Sequence, residues 1–446
     1  MKASGKTVGI GFLIFLSLLI ALPVNAAGGG SQADFPLWSG IFFVGLLCCI
    51  AVIPLLNAEW WVRNFGYVSL LLTIPAAVVV ATRDWLFLVH VILEYLSFIL
   101  LLGSLFVTAG GIVIRVDIRG TPVINSLFLL IGAVFASLIG TTGASMVLLR
   151  PLIRSNKWRK KVVHIYIFFI FLVSNIGGLL TPLGDPPLFL GFLRGVPFFW
   201  TLRLLPIWCV TVAILLALFF LLDSYFVKKE DPEKFLRTSG TRPEKKLEIK
   251  GKINFLFLLM ILCSLFIPPL FREGVMILAT GLSLYFTHRS LREENVFSFA
   301  PILEVAILFA AIFVTMAPVL SLLQVNGSKL GVVQPWQFFW VSGSLSSFLD
   351  NAPTYLVFMS IAQSVAHTAG IMEGLVAGVP QTLLAAISVG CVFMGANSYI
   401  GNGPNFMVKA ICEENGVKMP SFFGYMAWSV GILIPLFFLV TMVFFR

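Results

Sequence analysis

Apolar residues along this chain come in blocks of roughly 18–25, the length that crosses a bilayer core as a helix. Short connections separate the blocks, and the basic residues collect in them. The pattern predicts ten crossings beyond residue 35, at 36–57, 64–82, 85–107, 163–195, 203–226, 253–270, 274–288, 301–323, 380–412 and 421–445. Segments 122–153 and 335–362 each carry a polar, helix-breaking tip between apolar arms too short to cross together, and are predicted as re-entrant hairpins. Segments 163–195 and 380–412 are long and interrupted midway by Gly, Pro and Asn. Unpaired backbone in lipid is costly, so such breaks persist only where they line a cavity or a buried site.

Residues 1–30 hold Lys2 and Lys6, an apolar run from Val8 to Leu22, then Pro23-Val24-Asn25-Ala26 and a glycine-rich stretch. This reads as a cleaved signal peptide or as a retained first transmembrane helix; either way the next segment starts outside. Threading the crossings from there places 24 Lys and Arg on the cytoplasmic side and 6 outside, the asymmetry expected of a correct topology. The loops Lys157–Lys161 and Lys228–Lys252 are then cytoplasmic, and Lys329 and His367 external. Cysteines placed at Lys157 and Lys329 in a cysteine-free background are expected to label from opposite faces; labelling from one face would sink this topology.

Composition sharpens the class. The 446 residues are 59% hydrophobic and 11% charged, against about one quarter charged in a soluble domain. A net charge of +10 would suit a nucleic-acid partner, but the basic residues sit where orientation rules put them, so no nucleic acid is expected. The partner is the lipid bilayer. Cys48, Cys49, Cys209, Cys263, Cys391 and Cys412 lie in or at the ends of apolar segments with no CxxC, which indicates neither a disulfide framework nor a zinc site.

The charged loop Lys228–Lys252 divides the crossings five and five. Each half reads as two helices, a helix with a buried acid, a hairpin, a broken helix and a closing helix. Glu94 precedes Thr141-Thr142 much as Glu304 precedes Asp350-Asn351. Five crossings per half is odd, so the halves are inverted. The expected fold is an all-α polytopic membrane protein of two inverted five-crossing repeats, 36–227 and 253–446, each with a re-entrant hairpin and a broken helix, joined by a cytoplasmic linker at 228–252. That architecture is typical of alternating-access transporters, with the site near the midplane.

Four polar clusters interrupt the apolar blocks: Gly140–Ser145, Ser174–Pro187, Ser346–Thr354 and Gly395–Asn405. Unwound stretches free backbone carbonyls, and with hydroxyl and amide oxygens these suit a hard cation such as sodium. The flanking half-helices begin with positive dipole ends that suit an anion. The expected ion- or substrate-binding residues are Thr141, Thr142, Ser145, Asn175, Thr181, Asp185, Ser346, Asp350, Asn351, Thr354, Asn397, Ser398, Asn402 and Asn405, with sodium at Asp350, Asn351, Asn397 and Asn175. Acids inside a bilayer are usually functional. Asp350 is expected to be the leading proton or cation exchanger and Asp185 the next, with Glu94 and Glu304 as proton-relay candidates. His90, one turn from Glu94, is either its hydrogen-bonded partner or part of a relay. His164 and His288 read as interfacial.

At these clusters the chain resembles the ion transporter superfamily, which contains the NhaD-type sodium/proton antiporters, arsenite and citrate transporters and divalent anion/sodium symporters. The likeness is greatest to the NhaD type. Asn175-Ile176-Gly177-Gly178 followed by Thr181-Pro182-Leu183-Gly184-Asp185 is similar to that family's N-x-G-G…S/T-P-x-G-D break, and Ser346…Asp350-Asn351-Ala352-Pro353 to its S-x-x-x-D-N-x-P hairpin tip. The resemblance implies a scaffold half, a mobile half that holds the hairpins, elevator-like motion and a homodimer. Two departures stand out. The first hairpin reads Ser137…Thr141-Thr142 with no acid, and Pro186, Pro187 and Leu188 follow Asp185 in place of hydroxyl residues. A missing acid removes one exchanger, which leaves room for a sodium-coupled anion.

Two readings of function follow. In sodium/proton antiport, Asp350 and Asp185 alternate between proton and sodium. In cotransport, citrate, a dicarboxylate or another small anion moves with sodium or protons; no Lys or Arg lies in any break, so the anion relies on helix N-termini and bound cations. Beyond sodium as transported or coupling ion, no cofactor is expected. No HExxH, GxSxG or Walker A pattern points to an enzyme. The implied location is a bacterial cytoplasmic membrane.

Overall fold

Side-chain caps and helix breakers set the ends of the elements. The structure, a computed structural model, describes residues 34–116, 118–229, 247–295 and 297–446. After a 3-10 turn at Leu37–Gly40 comes α1 (Ile41–Leu56). The Asn57 side chain accepts the Trp60 N–H at 3.0 Å to start α2 (Ala58–Arg83), and Asp84 accepts the Phe87 N–H at 2.9 Å to start α3 (Trp85–Ala109). Such caps replace partners that the first helical turn lacks. Thr121 and Pro122 open α4 (Pro122–Ile139), which Gly140, at φ 82°, turns back into α5 (Thr141–Ser155). A side chain at that positive φ would be strained, so glycine is needed for the hairpin to reverse.

α6 (Val163–Leu172) gives way to a 3-10 stretch at Ile176–Leu180, and the chain restarts as α7 (Pro186–Leu193). Its leading prolines occupy positions whose N–H groups would be unpaired in any case. The closing helix is α8 (Leu205–Val227). The second half runs through α9 (Ile253–Ser264), α10 (Phe271–Phe286), the short α11 (Arg289–Glu294) and α12 (Ala300–Asn326). Its hairpin is α13 (Pro335–Ser346) and α14 (Asn351–Thr368), its broken helix α15 (Gln381–Met394) and α16 (Gly403–Glu414), and its closing helix α17 (Phe422–Phe444).

The expected all-α membrane architecture holds, and eight helices among the described residues are long and apolar enough to cross a membrane. Three details differ from the pattern reading. α4 is itself an 18-residue candidate span, because the apolar arm runs to Ile139 before Gly140 turns it. The crossing expected at 253–270 is a 12-residue helix, since the chain leaves helical geometry before Pro268-Pro269. Two short strands, β1 (Val113–Val116) and β2 (Leu247–Lys250), pair antiparallel with Val113 opposite Lys250, so the end of the expected linker is stapled to the first half. Four residues of alternation are too few to announce a strand. A second small hairpin pairs β3 (Leu375–Val376) with β4 (Val379–Pro380). The expected signal or first helix at 1–30 and positions 230–246 of the linker lie outside the described residues.

Packing sorts the helices into two sets. α1, α2, α3, α9, α10 and α12 pack on one another, while α4–α8 pack with α13–α17. The sets meet chiefly where α12 lies on α14 and α3 on α5. Large apolar side chains such as Tyr67, Leu71 and Tyr285 face outward, as a lipid-facing surface requires. The four polar clusters are carried by the second set.

Candidate functional site

Asp185 is the point at which all four clusters meet. It sits between the 3-10 stretch and α7, 1% exposed. Its Oδ1 accepts the Thr141 hydroxyl at 3.1 Å from the first hairpin tip and the Asn402 amide at 3.0 Å from the second break. Its Oδ2 accepts the Asn351 amide from the second hairpin tip. Three side-chain donors from three elements thus converge on one carboxylate, and none of them carries a charge.

The remaining expected residues form the lattice around this node. Asn402 also reaches the Ser174 carbonyl at 3.1 Å and Asn175 Oδ1 at 3.3 Å. Asn175 in turn donates to the Ile170 carbonyl and to Asn405 Oδ1, at 2.8 and 2.7 Å, and Asn405 donates to the carbonyls of Gly395 and Ser398. Both breaks are therefore held by side chains that replace the missing helical bonds. Ser145 bonds Ser174 at 3.0 Å. Ser346 donates to the Cys391 carbonyl at 2.7 Å and Thr354 to the Asp350 carbonyl at 3.0 Å. Thr142 is half-buried and makes no such bond.

Asp350 stands apart from the node. It is the N-cap of α14, half-buried, with Oδ1 accepting the Ala352 N–H at 3.0 Å. The structure therefore gives the central place to Asp185 and a capping place to Asp350, reversing their order in the sequence reading. Asn175, expected as a sodium ligand, has its oxygen engaged by Asn402. By contrast Asn351 Oδ1 and Asn397 Oδ1 are buried and have no hydrogen-bond partner among the described residues, with Asn351 0% and Asn397 7% exposed. An unpartnered buried amide oxygen has room for one more donor or cation, whether an ordered water or a ligand.

The two breaks share a hydrogen-bond pattern. The Thr181 hydroxyl donates to the Ser137 carbonyl and the Ser398 hydroxyl to the Ser347 carbonyl. Ser137 Oγ donates to the Gly177 carbonyl and Ser347 Oγ to the Met394 carbonyl. The Leu183 N–H bonds Thr181 Oγ1 at 3.2 Å as the Ile400 N–H bonds Ser398 Oγ at 3.2 Å. A Cβ on Gly184 would run into the Gly178 carbonyl, and one on Gly401 into the Gly395 carbonyl. Sequence reading missed Ser137 and Ser347 as organising residues. Ser346 and Ser347 are adjacent, and composition does not say which faces the break.

Glu94 does not pair with His90. It forms a two-point ion pair with Arg194 at the end of α7, Nε–Oε1 2.8 Å and Nη2–Oε2 3.1 Å, which ties α3 to the first break. Glu304 lies near the start of α12, half-buried and without an ion pair or hydrogen bond among the described residues. His164 is buried, 2% exposed, and bonds Asp223 at 2.7 Å, in a cluster with Arg159 that the sequence reading did not anticipate. Neither Asp185 nor Asp350 is ion-paired to a basic side chain among the described residues.

A family model described as "Putative citrate transport" matches residues 32–445 of the chain. No curated protein matches it.

Proposed function

The chain belongs to this citrate-transport family, and on that premise we propose that it is a secondary active transporter moving citrate or a similar small carboxylate together with a coupling cation, sodium first among them. The observation that carries the cation is the pair of unpartnered buried oxygens on Asn351 and Asn397. Leaving such oxygens empty is costly, and a hard cation is the ligand that oxygen donors suit. No Lys or Arg hydrogen bonds into the node at Asp185, so the negative substrate is balanced by the bound cation and by helix N-termini. α5 and α16 both begin without a side-chain cap bond, at Gly140 and Asn402; the Thr141 N–H of α5 is taken by the Gly184 carbonyl at 2.8 Å, and the positive end of α16 is the freer of the two. The shared hydrogen-bond pattern of the breaks supports reading the halves as inverted repeats that alternate access around this node.

Proteoliposomes test the proposal. Labelled citrate is expected to accumulate when sodium is high outside and not when choline replaces it, and sodium alone is expected to leave internal pH unchanged. Sodium/proton antiport is the second reading, supported by the two site acids that lack a basic partner. It would be selected by proton movement on a sodium pulse with no carboxylate present. Citrate uptake indifferent to sodium, with no sodium-driven proton movement, would sink both.

A further inference from the structure

Glu94 and Arg194 join the two helix sets at the far end of the half-helix that starts at the node. α7 is capped by Asp185 at one end and by Arg194 at the other. Its eight residues set the ion pair about 12 Å beyond the node. Gly191 lets α7 lie close against the second hairpin, since a Cβ there would come 2.5 Å from the Tyr355 hydroxyl of α14. Arg194 is therefore carried by the set that holds the hairpins.

Glu94 is anchored in the other set. Its neighbour Tyr95 donates to the Ala306 carbonyl of α12 at 2.8 Å, and Ser97 donates to Glu273 of α10 at 2.8 Å. The pair thus bridges two platforms, each fastened by its own contacts. Its two bonds, 2.8 and 3.1 Å long, are directional, and the Glu94 and Arg194 side chains are 10% and 24% exposed. One turn further along α3, Phe98 meets Phe189 of α7 with ring centroids 6.3 Å apart. That apolar contact can slide, whereas a two-point ion pair is lost when its partners shift. At the opposite, basic face Arg154 of α5 and Glu294 of α11 stand 3.7 Å apart with Arg154 exposed, a weaker tie.

Transporters built from repeats alternate access by moving one bundle against another around the site. From the placement of this pair we infer that Glu94 and Arg194 are the outer latch of the transport cycle, closed in this state and parted each time the two sets exchange positions. The inference rests on the transporter reading above and not on which ion or carboxylate is carried. It gives the buried acid of α3 a mechanical role in place of proton relay.

Tethering the pair tests it. In a cysteine-free background, Glu94→Cys with Arg194→Cys is bridged by a short bifunctional methanethiosulfonate reagent, and proteoliposomes are assayed for labelled citrate uptake. Uptake is expected to stop on bridging and to return when the tether is reduced. Arg203→Cys with Gln381→Cys replaces a pair bonded within the hairpin-bearing set, and bridging it is expected to leave uptake intact. Glu94→Arg sets two cations face to face and is expected to cut uptake about tenfold; adding Arg194→Glu is expected to restore it. Size-exclusion profiles show that each variant is folded. Undiminished uptake with the tether confirmed by mass, or equal loss from both tethers, would overturn the latch while leaving transport standing. A reversed pair no better than Glu94→Arg would overturn the pairing. Wild-type protein that neither takes up citrate nor moves protons on a sodium pulse would overturn the reading on which the inference rests.

Discussion

Asp185→Asn is expected to cut transport severely while the protein still inserts and purifies. The carboxylate at this position accepts from Thr141, Asn402 and Asn351 at once. An amide has one oxygen and one NH2 group, so either the Asn351 amide meets another donor or it turns over and gives up the free oxygen it presents elsewhere. Leaving a buried donor unsatisfied costs about 1–3 kcal/mol, and every 1.4 kcal/mol is about a tenfold change. The expected loss of uptake is therefore roughly 10- to 100-fold, because the energy falls on the node that joins both hairpins and both breaks. Asp350→Asn is expected to be milder. That side chain accepts a single backbone N–H as an N-cap, and Asn caps helices about as well as Asp. Uptake of labelled citrate by the two variants, normalised to protein in the vesicles, checks the ranking. Full activity in Asp185→Asn, or a larger loss in Asp350→Asn, would restore Asp350 to the leading role.

The location of the site was legible because breaking a helix inside a bilayer is so costly that each break had to be functional or buried. Gly140, Asn175, Asp185, Asp350 and Asn402 announce themselves against runs of Leu, Ile and Phe. Their partnerships were not legible. Asp185 meets Asn351 and Asn402, more than 160 residues away, and nothing in local pattern distinguishes these donors from Thr142, which makes no bond. The ranking of Asp350 above Asp185 followed from the hairpin tip's conspicuous Asp-Asn pair. In three dimensions the same acid caps a helix that would otherwise begin with unpaired N–H groups. Most helix ends were found to within a few residues, with larger misses at the starts of α1 and α2 and the end of α9, since hydrophobic length is a strong signal in a membrane. β1 and β2 were not, since their pairing spans more than 130 residues.

Arg159 and Asp223 escaped for a different reason. Arg159 lies in a run of six basic residues that reads as an orienting loop, and Asp223 falls near the cytoplasmic end of the crossing expected at 203–226. In the structure both side chains are fully buried, with Arg159 Nη2 2.6 Å from Asp223 Oδ1. His164 reaches the same oxygen at 2.7 Å, and Asn125 donates to Oδ2 at 3.0 Å while exchanging bonds with Asn156. The cluster ties α4, the hairpin's first arm, to α6 and α8. Arg159 Nε and Nη1 make no hydrogen bond, so Asp223 is the group that balances its charge. Asp223→Ala is therefore expected to destabilise the protein by about 3–5 kcal/mol, the usual result of stranding one member of a buried pair. In detergent this corresponds to a melting midpoint lower by on the order of 10 °C. The double replacement Arg159→Met with Asp223→Leu removes both charges and keeps the volume, and is expected to recover most of the loss. His164→Gln, which retains a donor toward Asp223, should cost much less. Thermal unfolding of the three variants followed by tryptophan fluorescence decides the matter. An Asp223→Ala midpoint equal to wild type, or a double variant no better than the single, would show that the pair does not anchor the hairpin.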